Sequence, residues 1–236
     1  MKKVFGILFL LTLSVACEKK ESNKNLHITG NVNGLKEGTL YIQRIVDTSL
    51  VVIDSIKIDG DSHFQSDFDI KSPEMLYLAL NRGTTNSMDN TILFFAEPGN
   101  IHIETDLDYF YAKAKITGSK NQELYETYRK INAQFNEQEL NLTEARFKAF
   151  KTKNQSSLDS IDKVQSIMLK RKYLFAVNFA VNNRDYEVSP YIALSEISNV
   201  NLKFLDTIQK AMTPKVAKSL YGKKLTAFFN ERKKAE

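Results

Sequence analysis

Three histidines, three closely spaced aspartates, one acid on a tight turn and a single cysteine are where this 236-residue chain invites a search for chemistry. His27, His63 and His102 stand far apart, with no H-E-x-x-H or H-x-H spacing, so they do not read as a zinc site. Asp54, Asp59 and Asp61 lie close together but lack the D-x-[DN]-x-[DN]-G-x5-E order of a calcium loop. Asp59 and Asp61 flank Gly60 and read as turn formers. Glu97-Pro98-Gly99 would present an acid on a tight turn, yet proline at the second position and glycine at the third describe a structural turn just as well. No G-x-S-x-G or S-x-x-K stands in a convincing context, and SSLDSIDK (156–163) reads as a helix start. No phosphate-loop motif occurs, and nine glycines give such a loop little support. No catalytic, cofactor-binding or metal-ligating residue is nominated. The chain is expected not to be an enzyme and to need no cofactor.

Cys17 is different, because its position carries information. Lys2 and Lys3 form a basic start, Val4 to Leu13 is apolar, and Ser14, Val15 and Ala16 precede the cysteine. The run from Val4 to Ala16 is shorter than the roughly 17–25 residues that a membrane-spanning helix needs. LSVAC resembles the lipobox of bacterial lipoproteins, although Ser14 stands where that family usually has leucine, with Leu13 one place early. The resemblance implies cleavage before Cys17 and a diacylglyceryl thioether on its sulfur. Residues 1–16 are then a signal peptide and 17–25 a short polar tether. An ordinary signal peptide with an incidental cysteine is the plainer alternative. One acyl chain binds a membrane marginally, at about 0.8 kcal/mol per buried CH2, whereas two or three chains anchor stably.

The expected location is therefore the cell envelope. The chain would be anchored by its lipid, at the outer membrane facing the periplasm or displayed on the surface. With one cysteine there is no disulfide and no C-x-x-C, which excludes a dithiol redox enzyme. A hydrophobic content of 42% is enough for a packed core. Residues 17–118 carry 10 Lys and Arg against 15 Asp and Glu, while 119–236 carry 21 against 13. The basic excess is mixed with acids along helix-like segments, so it reads as a solvated surface rather than a nucleic-acid site.

The first half reads as β. LHITGNV (26–32), GTLYIQRI (38–45), LVVIDSIKI (50–58), HFQSDFDI (63–70), EMLYLAL (74–80), TILFFA (91–96), the stretch beginning IHIETD and YFYAKAKITG (109–118) are the expected strands. Asn33-Gly34 marks a turn; Asp59-Gly60 and EPGN (97–100) are read as hairpin turns. The spacing suggests an antiparallel sandwich or barrel. Phe94, Phe95, Tyr109, Phe110 and Tyr111 cluster around one hairpin and read mainly as core. Residues 109–111 are consecutive, so at least one of them points outward or lies in a loop.

The second half reads as helix. Ser119 and Gln122 form a capping-box pattern, followed by Leu124, Tyr128, Ile131 and Phe135 at helical steps. Asn141 and Glu144 suggest a second start, and the longest helix is placed from about Ser157. Ser189-Pro190 and Thr213-Pro214 each read as a cap followed by proline at the first helical position. The fold class is α+β: a β-sandwich or barrel-like module over 26–118, then a helical domain over 119–236.

Several pieces together resemble a domain of unknown function common in exported Gram-negative lipoproteins. They are ITGNVNGLKEGTLYIQR (28–44), IDSIKIDGDSHFQSDF (53–68), FFAEPGNIHIE (94–104) and ITGSKNQ (116–122). In that family the module often precedes a thioredoxin-like domain in thiol–disulfide oxidoreductases, and SPYIALSEIS (189–198) and SLYGKKLTAFF (219–229) resemble the helical segment before it. The thioredoxin-like domain is expected to be absent here, so its activity is not carried over. The resemblance implies a non-catalytic envelope lipoprotein, a binding or assembly module accessory to thiol–disulfide redox proteins. The alternatives are a surface lipoprotein that captures a ligand, or an enzyme with an unrecognised site. The expected partners are the membrane, through the lipid, and an envelope protein, with no nucleic acid. The oligomeric state is left open.

Overall fold

Strict alternation decides the first strand. In β1 (Leu26–Asn33) the side chains of Leu26, Ile28 and Val32 point inward and are fully buried, while His27, Thr29 and Asn31 face outward. Gly30 occupies the remaining inward position, where a Cβ would lie 2.2 Å from the Ile103 carbonyl oxygen and 2.5 Å from the Phe64 ring. The computed structural model describes residues 22–83 and 87–235. Cys17 and the signal-like segment lie outside the described residues.

Two four-stranded sheets face one another across a single apolar core. The first has the order β4 (His63–Phe68), β1, β7 (Gly99–Asp106), β8 (Lys115–Thr117). The second has the order β3 (Ser49–Asp59), β2 (Glu37–Val46), β5 (Glu74–Asn81), β6 (Thr91–Ala96). The sheets do not close into a barrel. β5 and β6 read as nearly continuous apolar runs because one face is covered by the other sheet and part of the other face by the helices. Leu76, Leu78, Ile92 and Phe94 enter the sandwich core, whereas Met75 and Phe95 enter a second core formed with the helices.

Two expectations about the β half need correction. The pairing is not purely antiparallel, since β1 and β7 run parallel in register from Leu26–Gly99 to Asn33–Asp106. Asp59-Gly60 and EPGN are not hairpin turns. They are corners that carry the chain from the second sheet to the first, and the Asn33-Gly34 turn carries it the other way. Glycine in a turn reports a change of chain direction, whichever sheet receives the next strand. The paired hairpin β2–β3 instead turns at Asp47, with φ +56°. The stretch 109–118 is mostly turn, with only Lys115–Thr117 joining the sheet.

Two long helices form an antiparallel hairpin. α1 (Lys120–Lys151) is unbroken and, at 32 residues, longer than α2 (Gln155–Asn182) at 28, so the expected second start at Asn141 is absent. Here Thr143 returns its hydroxyl to the Glu139 carbonyl at 2.8 Å, which satisfies it inside the helix. Asn154, not Ser157, caps α2, accepting the Ser157 N–H at 3.0 Å. α3 (Val188–Ser195), α4 (Leu202–Ala211), α5 (Pro214–Ala217) and α6 (Leu220–Ala235) complete the bundle. Pro190 is the third residue of α3 rather than the first, a place where its missing N–H still has no helical acceptor. Pro214 stands first in α5 as expected. Among the described residues no helix is long and apolar enough to cross a membrane.

Candidate functional site

The helices seat on the outer face of the second sheet through β5 and β6. β6 is an edge strand, so its outward backbone N–H groups need partners. Gln122 supplies one: its side-chain oxygen accepts the buried Phe95 N–H at 2.7 Å. This corrects the capping box in part. Ser119 does cap α1 by accepting the Gln122 N–H at 3.1 Å, but the Gln122 side chain serves the sheet. Glu97 accepts the Lys120 N–H at the start of α1 and, at 2.6 Å, the Asn121 amide; the same amide reaches Glu187 at 3.2 Å. Met75 N–H donates to the Tyr221 hydroxyl at 2.9 Å. Around Phe95 the rings of Tyr191 and Tyr221 sit edge-on at 5.6 Å and 5.9 Å.

The helices leave the neighbouring rows of the same face open. Cross-strand pairing aligns Gln43, Tyr77 and Leu93 in one row and Tyr41, Ala79 and Thr91 in the next. These rows floor a cleft of about 920 Å³. Its walls are Tyr125 and Arg129 of α1, Tyr111, Leu50 of β3 and the short turn Met88–Asn90. The Tyr111 N–H donates to the Asp89 carbonyl at 3.3 Å, which ties the turn to the tyrosine. Ala79, at the middle of the floor, provides depth because it has almost no side chain.

Arg129 is held by phenols. It donates to the Tyr111 hydroxyl, and its guanidinium carbon lies 5.7 Å from the Tyr111 ring centre and 5.8 Å from that of Tyr125. Among the described residues it makes no ion pair. Burial holds the Tyr77 and Tyr125 phenols above their ordinary value of 10.0, so neither is an anion at neutral pH. The guanidinium stands at the cleft wall. Asp89 is the acid on the rim.

The residues singled out from sequence do not converge on this cleft, apart from Tyr111. Each histidine pairs with its own carboxylate at 2.7 Å: His27 with Asp67, His63 with Asp61, His102 with Glu104. Asp54 accepts the Ser66 hydroxyl and joins β3 to β4. The Asp61 carboxyl is held below the usual range, chiefly by the His63 backbone N–H it accepts. Among the described residues no three His, Cys, Asp or Glu side chains cluster as a metal site would require. Phe94 and Phe110 are core, Phe95 sits in the joint, and Tyr109 and Tyr111 are the outward members of 109–111.

Sequence reasoning missed Tyr41, Tyr77, Tyr125 and Arg129. The signal was present for one of them: Tyr41, with Gln43, alternates with the buried Leu40 and Ile42, which marks one outward face.

Residues 26–125 match the family described as Domain of unknown function (DUF4369), a span that takes in the whole sandwich and the first turn of α1. A search of curated proteins gave no match.

Proposed function

We propose that this chain is a non-catalytic binding module of the cell envelope, tethered by a lipid on Cys17 and receiving its ligand in the tyrosine-walled cleft. The cleft is the observation that carries the reading. A concave site of about 920 Å³, with mainly apolar walls and a few directed polar groups, has the form of a ligand pocket. The LSVAC segment supports the tether. The resemblance of the helical segment to the part that precedes thioredoxin-like domains supports a place beside thiol–disulfide redox proteins. Capture of a ligand at the cell surface is the second reading, and the same cleft favours it.

Two experiments separate the parts of this reading. Labelled palmitate enters the wild type and not Cys17→Ser; equal labelling of both removes the lipid tether. Crosslinked capture from solubilised envelope recovers a specific component with the wild type. Ala79→Trp, which fills the cleft floor, loses it. Undiminished recovery with Ala79→Trp places the binding surface elsewhere.

A further inference from the structure

We propose that the cleft takes a ligand with a flat apolar body and one anionic group, and that Arg129 holds the anion. This rests on the cleft being the binding site. The floor and walls carry phenol rings and aliphatic side chains, with Tyr77 between Gln43 and Leu93 in one row and Ala79 between Tyr41 and Thr91 in the next. Such a surface stacks against a planar body. Arg129 is the cation that lines the cleft. A guanidinium carries several N–H donors in a fixed fork, and Arg129 directs one at the Tyr111 hydroxyl. The two flanking rings fix its position, and neither contact is an ion pair. A carboxylate fits the free side of that fork. The amides of Gln43 and Asn81 line the same space and add hydrogen-bonding groups for further polar atoms on the ligand. Asp89 on the rim disfavours a second anionic group, so the ligand class is a monoanion, an aromatic carboxylate in its simplest form.

The probe is 2-naphthoate, with 2-naphthalenemethanol as its uncharged counterpart. The chain has no tryptophan, so naphthyl fluorescence is read without tryptophan background. The full folded chain, without its signal segment, should bind 2-naphthoate saturably. Arg129→Gln should weaken that binding roughly tenfold, the range of one charge-assisted hydrogen bond. The uncharged probe should bind weakly to both proteins. Lys130→Gln, on the same helix and outside the cleft, should bind 2-naphthoate as the wild type does. Far-ultraviolet circular dichroism confirms that each variant is folded. A tripeptide ending in phenylalanine, with its C-terminus free or amidated, separates the two sources of this chemistry. Preference for the free-ended peptide over 2-naphthoate assigns the cleft to peptide ends; the reverse assigns it to small acids.

Equal affinity for the charged and uncharged probes, or an Arg129→Gln variant that binds 2-naphthoate normally, overturns the role of the anion. If Ala79→Trp then abolishes both probes, the cleft remains a binding site. If it abolishes neither, the cleft reading fails as well. Absence of saturable binding by any probe overturns the proposal.

Discussion

The Gln122 side-chain oxygen and the Phe95 backbone N–H meet at 2.7 Å in a buried setting, joining the first turn of α1 to the edge of the second sheet. The bond satisfies one N–H of the sheet's edge strand with a side-chain amide. Gln122→Leu keeps the volume and leaves the Phe95 N–H buried without an acceptor. A loss of about 1–3 kcal/mol is expected, the cost of one unsatisfied buried donor. Urea denaturation measures it, and an unchanged midpoint would show that water replaces the amide.

Glu74 and Glu196 give the stability a pH dependence. Burial raises the Glu74 carboxyl above its ordinary 4.5, opposed by Arg44 and Lys224. Burial raises Glu196 likewise, opposed by Lys172 and Arg129. A carboxyl raised in the folded state holds its proton more tightly there than in the unfolded chain. Its contribution is full below the unfolded value and is lost as pH rises through the folded one. Glu196→Gln should therefore gain stability relative to wild type as pH rises from about 4 to 7. Thermal melts across that range decide it; a constant difference between the two proteins would contradict the assignment.

The distal half of the helical hairpin is lightly packed. Phe150 is 71% exposed, whereas Tyr128, near the root, is 1% exposed and stacks on Phe175 at 5.5 Å. Tyr128→Ala should cost about 3–5 kcal/mol, in the range for a buried aromatic. Phe150→Ser should change stability by less than about 0.5 kcal/mol. Denaturation of the two variants side by side checks the contrast.

Gly30 sits where no side chain fits, between the Ile103 carbonyl and the Phe64 ring. Gly30→Ala forces β1, β7 or Phe64 to move, with an expected loss of about 1–3 kcal/mol. The shorter side chain in Phe64→Leu should recover part of that loss in the double variant. Strict additivity of the two changes would show that they do not share the clash.

Seven strands and the order of sheet before helix were legible because alternation and turn residues are local signals. What the sequence did not show was which strands share a sheet. The parallel meeting of β1 with β7 joins residues some 70 positions apart, and no local pattern encodes it. Asn141 to Glu144 looked like a helix start because the same polar residues serve as caps and as surface positions. The cleft was hidden for a further reason. Tyr77 lies in a strand whose outward positions, Met75, Tyr77 and Ala79, are as apolar as its inward ones, so its outward direction leaves no trace in EMLYLAL. Tyr125 and Arg129, four residues apart on α1, read as an ordinary helix flank until Tyr111 is placed beside them.

The central claim is that the cleft is where this chain meets its ligand. A photo-crosslinking amino acid placed at Gln43, on the cleft floor, tests it against the same group at Gln65, on the exposed face of the first sheet. Irradiation in intact cells should give a discrete adduct from position 43 and none from position 65. No adduct at 43, or the same adducts from both positions, would contradict the account.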